Sequence, residues 1–207
     1  MSKAKFAGLG CAGLGLIGVA VIAIIIAMNA YSWYNSAIGL KENVQAQWAN
    51  VESSYQRRAD LIPNIVATAK KYAEFEQETL TQVIEARAKA TSINVDASNL
   101  TSEQIQEFSQ AQGAVSSGLG RLLATYENYP DLKANENFLE LINELERTEN
   151  RINTERNRYN GDVKAYNAHI GMIPGRFYAS WFGFTGSPYF QAEAGSETAP
   201  VVEDLFD

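Results

Sequence analysis

The most constraining feature of the sequence is a stretch from Phe6 to Leu40 that contains no charged side chain. Its first 23 residues, 6–28, are mostly apolar. As a helix they would extend about 34 Å, enough for a hydrocarbon core about 30 Å thick. A cleaved signal peptide has a shorter apolar region and a small-residue cleavage site, whereas this run leads directly into aromatic residues at Tyr31. The sequence therefore predicts a retained transmembrane helix over 6–28.

The charges that flank this run predict its orientation. Lys3 and Lys5 precede it, whereas the first charges that follow are Lys41 and Glu42. The positive-inside rule then places the N-terminus in the cytoplasm and the rest of the chain outside the cytoplasmic (inner) membrane, as a single-pass protein. The lipid bilayer is the first predicted partner.

Small residues recur at spacings of three and four within the predicted span. In lipid, small residues let two helices approach closely, which predicts packing against a second copy and a homo-oligomer. Glycine is also common in membrane helices for other reasons, so association and coincidence both stay open. The small-residue face consists of Ala7, Gly8, Cys11, Ala12 and Gly15.

After residue 40, apolar residues recur at alternating steps of three and four in three series, which begin at Val44, Ile105 and Phe138. This spacing is typical of helices packed in bundles and coiled coils. No stretch alternates with period two for long enough to form a sheet. We expect an all-α fold in which the transmembrane helix is followed by an antiparallel up-and-down four-helix bundle. The predicted bundle helices are about 36–73, 78–92, 102–129 and 135–172.

Two helix starts have capping signals, while one turn is ambiguous. Thr101 begins a capping box with Gln104, and Asn135 is placed to cap the last long helix. Pro63 would interrupt the first bundle helix, yet the heptad phase continues through it. We therefore expect a kink near Pro63 and the turn itself between Ala73 and Thr79.

Charged residues interrupt the first and last apolar series at positions that would lie at the same level along the bundle axis if the two helices are antiparallel. Arg58 stands in the first series, and Glu149 and Arg156 stand in the last. If these two helices are antiparallel, Arg58, together with Asp60, would face Glu149 and Arg156 in a partly buried polar layer. Such a layer often fixes helix register rather than adding stability.

Composition excludes several classes of function. The net charge is −7, and the chain has one cysteine and one histidine. These counts exclude a disulfide framework and a zinc finger, and the acidity argues against nucleic acid as a partner. No nucleophile, metal-ligand set or phosphate loop accompanies the polar layer, so we expect no enzyme activity and no cofactor or metal site. The lone His169 is expected to have a structural or an exposed role.

Seven of the fourteen residues from Phe177 to Phe190 are aromatic. One interpretation is that they fold back and close the open end of the bundle. In the other, Trp181, Phe182 and Phe184 dock onto the bilayer interface or a neighbouring subunit, where aromatic rings are favoured. Both interpretations stay open.

The predicted organisation has four parts. A cytoplasmic arm, 1–5, precedes the transmembrane helix, 6–28. The extracytoplasmic bundle with its aromatic segment follows over 29–190. Residues 191–207, which are acidic and poor in apolar side chains, are expected to form a mobile tail.

A series of motifs resembles the LemA family of bacterial membrane proteins. The most specific is Arg-Arg-Ala-Asp-Leu-Ile-Pro-Asn at 57–64, and the resemblance runs from Tyr34 to Ala192. Further motifs lie at 120–123, 129–135, 136–138, 148–152, 158–160, 165–167, 182–184 and 188–190. The resemblance implies a membrane helix followed by an antiparallel bundle. It supplies no settled activity and no catalytic residues, and it does not include the acidic segment after Gln191.

These observations lead to two hypotheses. The first is a non-enzymatic, membrane-anchored helical bundle that self-associates or scaffolds partners in the bacterial cell envelope. The second is an accessory or regulatory subunit of a membrane enzyme. The resemblance suggests a metallopeptidase as one such membrane protein partner, because some LemA relatives are associated with these enzymes. An enzyme in its own right is a third and disfavoured interpretation.

Overall fold

The computed structural model describes residues 3–71 and 77–191, with side chains from Leu16 onward, and every regular element within these ranges is helical. The all-α class expected from the heptad series is therefore confirmed. Residues 1–2, 72–76 and 192–207, which include most of the predicted acidic tail, lie outside the described residues. The elements are α1 (Lys3–Ala69), α2 (Gln77–Ser92), a short 3₁₀ helix (Ala97–Asn99), α3 (Ser102–Tyr126), α4 (Pro130–Lys133), α5 (Glu136–Gly171) and α6 (Gly175–Phe182).

Helix α1 has 67 residues and corrects the prediction of two separate N-terminal helices, because 6–28 and the first bundle helix are continuous. The connecting residues, 29–35, contain neither proline nor glycine. Two polar side chains bond to the preceding turn there: Asn29 Nδ2 donates to Ile25 O at 2.9 Å, and Ser36 Oγ, just after the connection, donates to Ser32 O at 3.1 Å. In the described chain, α1 is the one helix apolar and long enough to cross a membrane.

Helix α1 continues through Pro63 to Ala69. Proline has no N–H, so the carbonyl of Ala59, four residues earlier, loses its helical donor. Arg87 of α2 supplies the missing bond, since its Nε donates to Ala59 O at 2.6 Å. The tertiary structure thus compensates for a defect that the sequence places inside the helix. The expected turn after α1 falls mostly within 72–76, outside the described residues.

Both predicted caps are confirmed. Gln104 N donates to Thr101 Oγ1 at 3.2 Å, and Thr101 N donates to Gln104 Oε1 at 3.0 Å, which completes a capping box. Phe138 N donates to Asn135 Oδ1 at 2.9 Å at the start of α5. Helix α3 ends at Tyr126, earlier than the predicted 129, and Pro130 begins α4, where its fixed φ suits the first helical position.

The chain divides into two compact units. Unit 1 draws its described residues from Met1–Val44 and Lys164–Gly186, and unit 2 draws them from Gln45–Val163 and Ser187–Asp207. Helices α1 and α5 contribute residues to both units.

The core of unit 2 is built from the heptad positions. Side chains from α1, α2, α3, α4 and α5 meet there, including the fully buried Ile62, Ile65, Val83, Leu122 and Phe138. Helices α2 and α3 approach closely at Gly118, where a Cβ atom would lie 3.3 Å from Val83 Cγ2. Gly118 therefore marks close packing, although nothing lies within 4 Å of a Cβ built at Gly120.

Polar contacts relate α1 to α5 within unit 2. Gln47 Nε2 donates to Glu155 Oε2 at 2.7 Å, and Arg57 Nη2 lies 2.6 Å from Glu144 Oε1. From the first pair to the second, the residue number rises along α1, from Gln47 to Arg57, and falls along α5, from Glu155 to Glu144.

Candidate functional site

Arg58 is the centre of a polar cluster in unit 2. Its side chain is 1% exposed, and its Nη1 lies 3.0 Å from Glu149 Oε2 and 2.8 Å from Ser116 Oγ. Its Nη2 donates to Gln112 Oε1 at 2.6 Å and to Gln112 O at 3.1 Å. The guanidinium carbon also lies 5.0 Å from the centre of the Tyr55 ring. We call Arg58, Gln112, Ser116 and Glu149 the arginine cluster.

Two of the four residues expected in the polar layer lie outside the arginine cluster. Asp60 is exposed and accepts a hydrogen bond from Gln56 Nε2 at 2.8 Å, on the same helix. The guanidinium of Arg156 lies 5.1 Å from the centre of the Phe190 ring, and its Nη2 donates to Gln191 O at 3.2 Å. The sequence identified Arg58 and Glu149 as neighbours but assigned the wrong contacts to Asp60 and Arg156.

Sequence reasoning missed Gln112 and Ser116. The signal for Gln112 was present, because it is a polar residue in the otherwise apolar series of α3 and is 8% exposed. Ser116, one helical turn later, has no comparable signal. Both supply oxygen atoms to a buried cation, as a buried charge requires. The arrangement suits holding helices in register.

Trp48 lies at the centre of an aromatic core in the same unit. Its side chain is fully buried, and its ring centre lies 5.4 Å from Phe108, 5.6 Å from Tyr159 and 5.5 Å from Phe190. The backbone of Phe190 is held on α5, since its N donates to Asn160 Oδ1 at 2.9 Å. The end of the aromatic C-terminal segment is therefore packed as core.

One carboxyl group lies half-buried near this core. Burial raises the pKa of Glu52. Among the residues that the structure describes, no group of three or more His, Cys, Asp or Glu side chains is placed to hold a metal ion.

The phenol of Tyr159 gives a prediction about alkaline pH. Its hydroxyl donates to Pro188 O at 2.9 Å, and burial raises its pKa well above the ordinary value. An acid whose pKa is raised by folding binds more protons in the folded state, so stability falls as pH rises above about 10, the unfolded value.

Tyr159→Phe cannot ionise, and we expect it to lose about 1 kcal/mol at neutral pH through the missing hydrogen bond. Urea unfolding over a pH series should then show a shallower alkaline decline than in the parent, and equal slopes would contradict this.

A second aromatic cluster lies in unit 1. Trp33 of α1 stacks on His169 of α5, with ring centres 5.1 Å apart and planes 8° from parallel. Trp33 Nε1 donates to His169 O at 3.4 Å. A side chain at Gly175 would overlap His169 O and lie 2.6 Å from Trp33 Nε1, so only glycine fits there. His169 is thus a packing residue, in agreement with the expected structural role.

Helix α6 continues this cluster along α1. Tyr34 lies 5.1 Å from Phe182 and 5.5 Å from Phe184 between ring centres. Phe184 is half-buried, Phe182 is 44% exposed and Trp181 is 77% exposed. The three interaction candidates therefore differ: Phe182 and Phe184 pack on α1, whereas Trp181 faces outward.

An apolar groove of about 660 Å³ lies between α1 and α6. We call it the α6 groove. It is lined by Ala23, Ile26, Ala27, Ala30, Tyr31, Tyr34, Asn35, Trp181 and Phe182. The small-residue face of Ala7, Gly8, Cys11, Ala12 and Gly15 belongs to α1, but its side chains precede Leu16 and lie outside those described.

Comparisons with known proteins agree with this architecture. The model of the LemA family matches residues 47–203. The chain is 26% identical over 190 residues to Magnetosome protein MamQ 2 of Paramagnetospirillum magneticum, covering 84% of this chain and 70% of that protein. It is 23% identical over 192 residues to Magnetosome protein MamQ of Magnetospirillum gryphiswaldense, with the same coverage.

A further relative is Protein LemA of Metamycoplasma hominis, which is 25% identical over 130 residues, covering 63% of this chain and 56% of that protein. The family match continues past Gln191 into the acidic segment, which the motif resemblance did not include.

Proposed function

Because the chain belongs to the LemA family, we propose that it is a non-enzymatic, membrane-anchored scaffold that self-associates in the cytoplasmic membrane of a bacterium. The observation that carries this proposal is the exposure of α1. Every side chain from Leu16 to Asn29 is exposed, including nine large apolar ones, of which Ile17 is 63% and Met28 67% exposed. Successive residues point about 100° apart, so all sides of this segment are apolar, as a helix surrounded by lipid requires.

Charge asymmetry supports an orientation for this scaffold. Lys3 and Lys5 precede the uncharged run, which favours a cytoplasmic N-terminus and a helical domain on the outer side of the membrane. Along α1, the contact at Gln47 reaches Glu155, and the later contact at Arg57 reaches Glu144, which is earlier in α5. This order supports an antiparallel bundle for that domain.

A packing role for the arginine cluster supports a scaffold rather than an enzyme. Both terminal nitrogens of the guanidinium are bound by groups that belong to the helices themselves, and the side chain is 1% exposed, which leaves no access for a substrate. A buried pair of this kind can specify register at little net gain in stability. The names of the relatives point in a compatible direction, since two are proteins of a magnetosome, an assembly in the cell.

The proposed self-association uses the small-residue face of α1. Gly15 belongs to this face, whereas Gly13 lies two residues away, about 200° around the helix. Leucine at Gly15 would separate two closely packed helices, while leucine at Gly13 would face lipid.

Native mass measurement of the full chain in mild detergent tests the proposal. We expect a homomeric assembly that Gly15→Leu dissociates and that the matched control Gly13→Leu leaves intact. A strictly monomeric parent would contradict self-association. A stoichiometric second protein would instead support the accessory-subunit hypothesis, with the partner identified from its mass.

A further inference from the structure

Helix α6 has one face on α1 and an outer face that is largely exposed in the described chain. Gly175 and Ala179 are buried on the inner face. Phe177 and Trp181, one turn apart on the outer face, are 67% and 77% exposed. In the turn before α6, Ile173 is 78% exposed. Exposure of three large apolar side chains to water is unfavourable relative to their burial, so a monomer in solution is a poor environment for this face.

The inner face fixes where α6 lies along α1. Tyr178 and Phe182 have ring centres 5.5 Å and 6.4 Å from that of Trp33. Trp33 follows Met28, the end of the apolar run, by five residues, or about 7.5 Å along a helix. The polar headgroup zone adds about 5–8 Å to each side of the hydrocarbon core. If α1 spans the bilayer, α6 is therefore held at the depth of the headgroups.

The α6 groove places part of this helix deeper still. Trp181 and Phe182 line it together with Ala23, Ile26 and Ala27, which belong to the apolar run itself. The side of the groove formed by α1 would be covered by acyl chains in a membrane. A groove with such walls excludes water and fits a hydrocarbon chain.

The residue chemistry of α6 matches a membrane interface. Tryptophan is favoured at the boundary between acyl chains and headgroups because its ring is apolar and its N–H is polar. Arg176 is exposed beside Phe177, and α6 contains no acidic residue. A long cationic side chain can extend to lipid phosphates while its stem stays among apolar groups.

We propose that α6 is an interfacial docking helix: Phe177 and Trp181, with Ile173, insert into the outer leaflet of the bilayer that α1 crosses, and a phospholipid acyl chain fills the α6 groove. This inference rests on the proposed membrane anchor and adds a second contact between the folded domain and lipid. The occupant is the phospholipid of that leaflet, and a contact with another protein is an alternative outcome of the test.

Fluorescence of the full chain in phospholipid nanodiscs, at one copy per disc, tests the docking. The chain has three tryptophans, so the difference between the parent and Trp181→Phe isolates the emission of Trp181. With lipids brominated in the part of the acyl chain nearest the headgroup, we expect loss of most of the Trp181 emission, and little further loss with aqueous iodide. The difference between the parent and Trp48→Phe serves as control, because the fully buried Trp48 should respond to neither quencher.

Two other outcomes would overturn the docking. Quenching of Trp181 by iodide and not by brominated lipid would place α6 in water. Insensitivity to both, with blue-shifted emission, would indicate a protein contact. Flotation with vesicles separates the two proposals: a chain that fails to float contradicts the anchor itself, whereas a floating chain with iodide-quenched Trp181 contradicts only the docking.

Discussion

Trp48→Ala is expected to lower the free energy of unfolding by about 3–5 kcal/mol, the range for deleting a fully buried large aromatic side chain. Trp48 is 0% exposed and contacts the rings of Phe108, Tyr159 and Phe190. These rings belong to α3, α5 and the C-terminal segment, so the cavity left by alanine would border three parts of unit 2. Such a cavity cannot be filled by the movement of one side chain.

The measurement is urea unfolding of the full chain in mild detergent, followed by circular dichroism. Ile84→Ala is the control, because this side chain of the same unit is 41% exposed and its truncation should cost no more than about 1 kcal/mol. Comparable losses in the two variants would show that the aromatic core does not carry the stability assigned to it.

The second large effect concerns the arginine cluster and depends on which partner is removed. Glu149→Ala leaves a guanidinium that is 1% exposed without its counter-charge. We expect a loss of about 2–3 kcal/mol, below the 3–5 kcal/mol typical of a fully buried pair. The reduction follows because 45% of the Glu149 side chain is already exposed, and Gln112 and Ser116 continue to bind Arg58.

Arg58→Met should be less damaging, since it removes the buried charge and leaves Glu149 free to be solvated. Its main cost is the loss of a donor to Gln112, about 1 kcal/mol. The double variant Arg58→Met/Glu149→Ala should therefore be more stable than Glu149→Ala alone, a coupling that a double-mutant cycle measures directly.

The neighbouring pair of Arg57 and Glu144 provides the control for this cycle. Arg57 is 60% exposed, so Arg57→Met should cost no more than about 1 kcal/mol. If Arg58→Met proves more harmful than Glu149→Ala, buried charge is not what makes the cluster sensitive, and its hydrogen bonds to α3 would have to account for the loss.

The predictable parts of this protein are those controlled by neighbours in sequence. The all-α class follows from the three-and-four spacing of apolar residues, because that spacing places them on one face of a helix. The caps at Thr101 and Asn135 follow from side chains that reach N–H groups only two or three residues away. The proximity of Arg58 to Glu149 could be predicted because each residue interrupts an apolar series, at the same level along the axis of two antiparallel helices.

The errors arose where a residue's partner is distant in sequence. The heptad spacing placed Arg156 among the inward-facing positions of α5. That spacing gives no information on the C-terminal segment, whose Phe190 ring and Gln191 carbonyl contact the guanidinium. Asp60 was placed in the layer as a neighbour of Arg58, yet two residues along a helix differ by about 200° in direction. The separation of α1 into two helices was wrong because residues 29–35 contain no proline or glycine, and the polar side chains of Asn29 and Ser36 bond to the preceding turn of the helix.

The sequence by itself determined the helices, most of their ends and an uncharged segment suited to lipid, since these depend on local backbone preferences and on the cost of burying charge. Only the tertiary structure decided that Arg87 repairs the carbonyl left free by Pro63, that Gln112 and Ser116 complete the arginine cluster, and that α6 packs on Trp33. The physical reason is that each of these contacts joins groups between about 28 and 145 residues apart, and hydrogen bonding and ring packing act over a few ångströms in space regardless of distance along the chain.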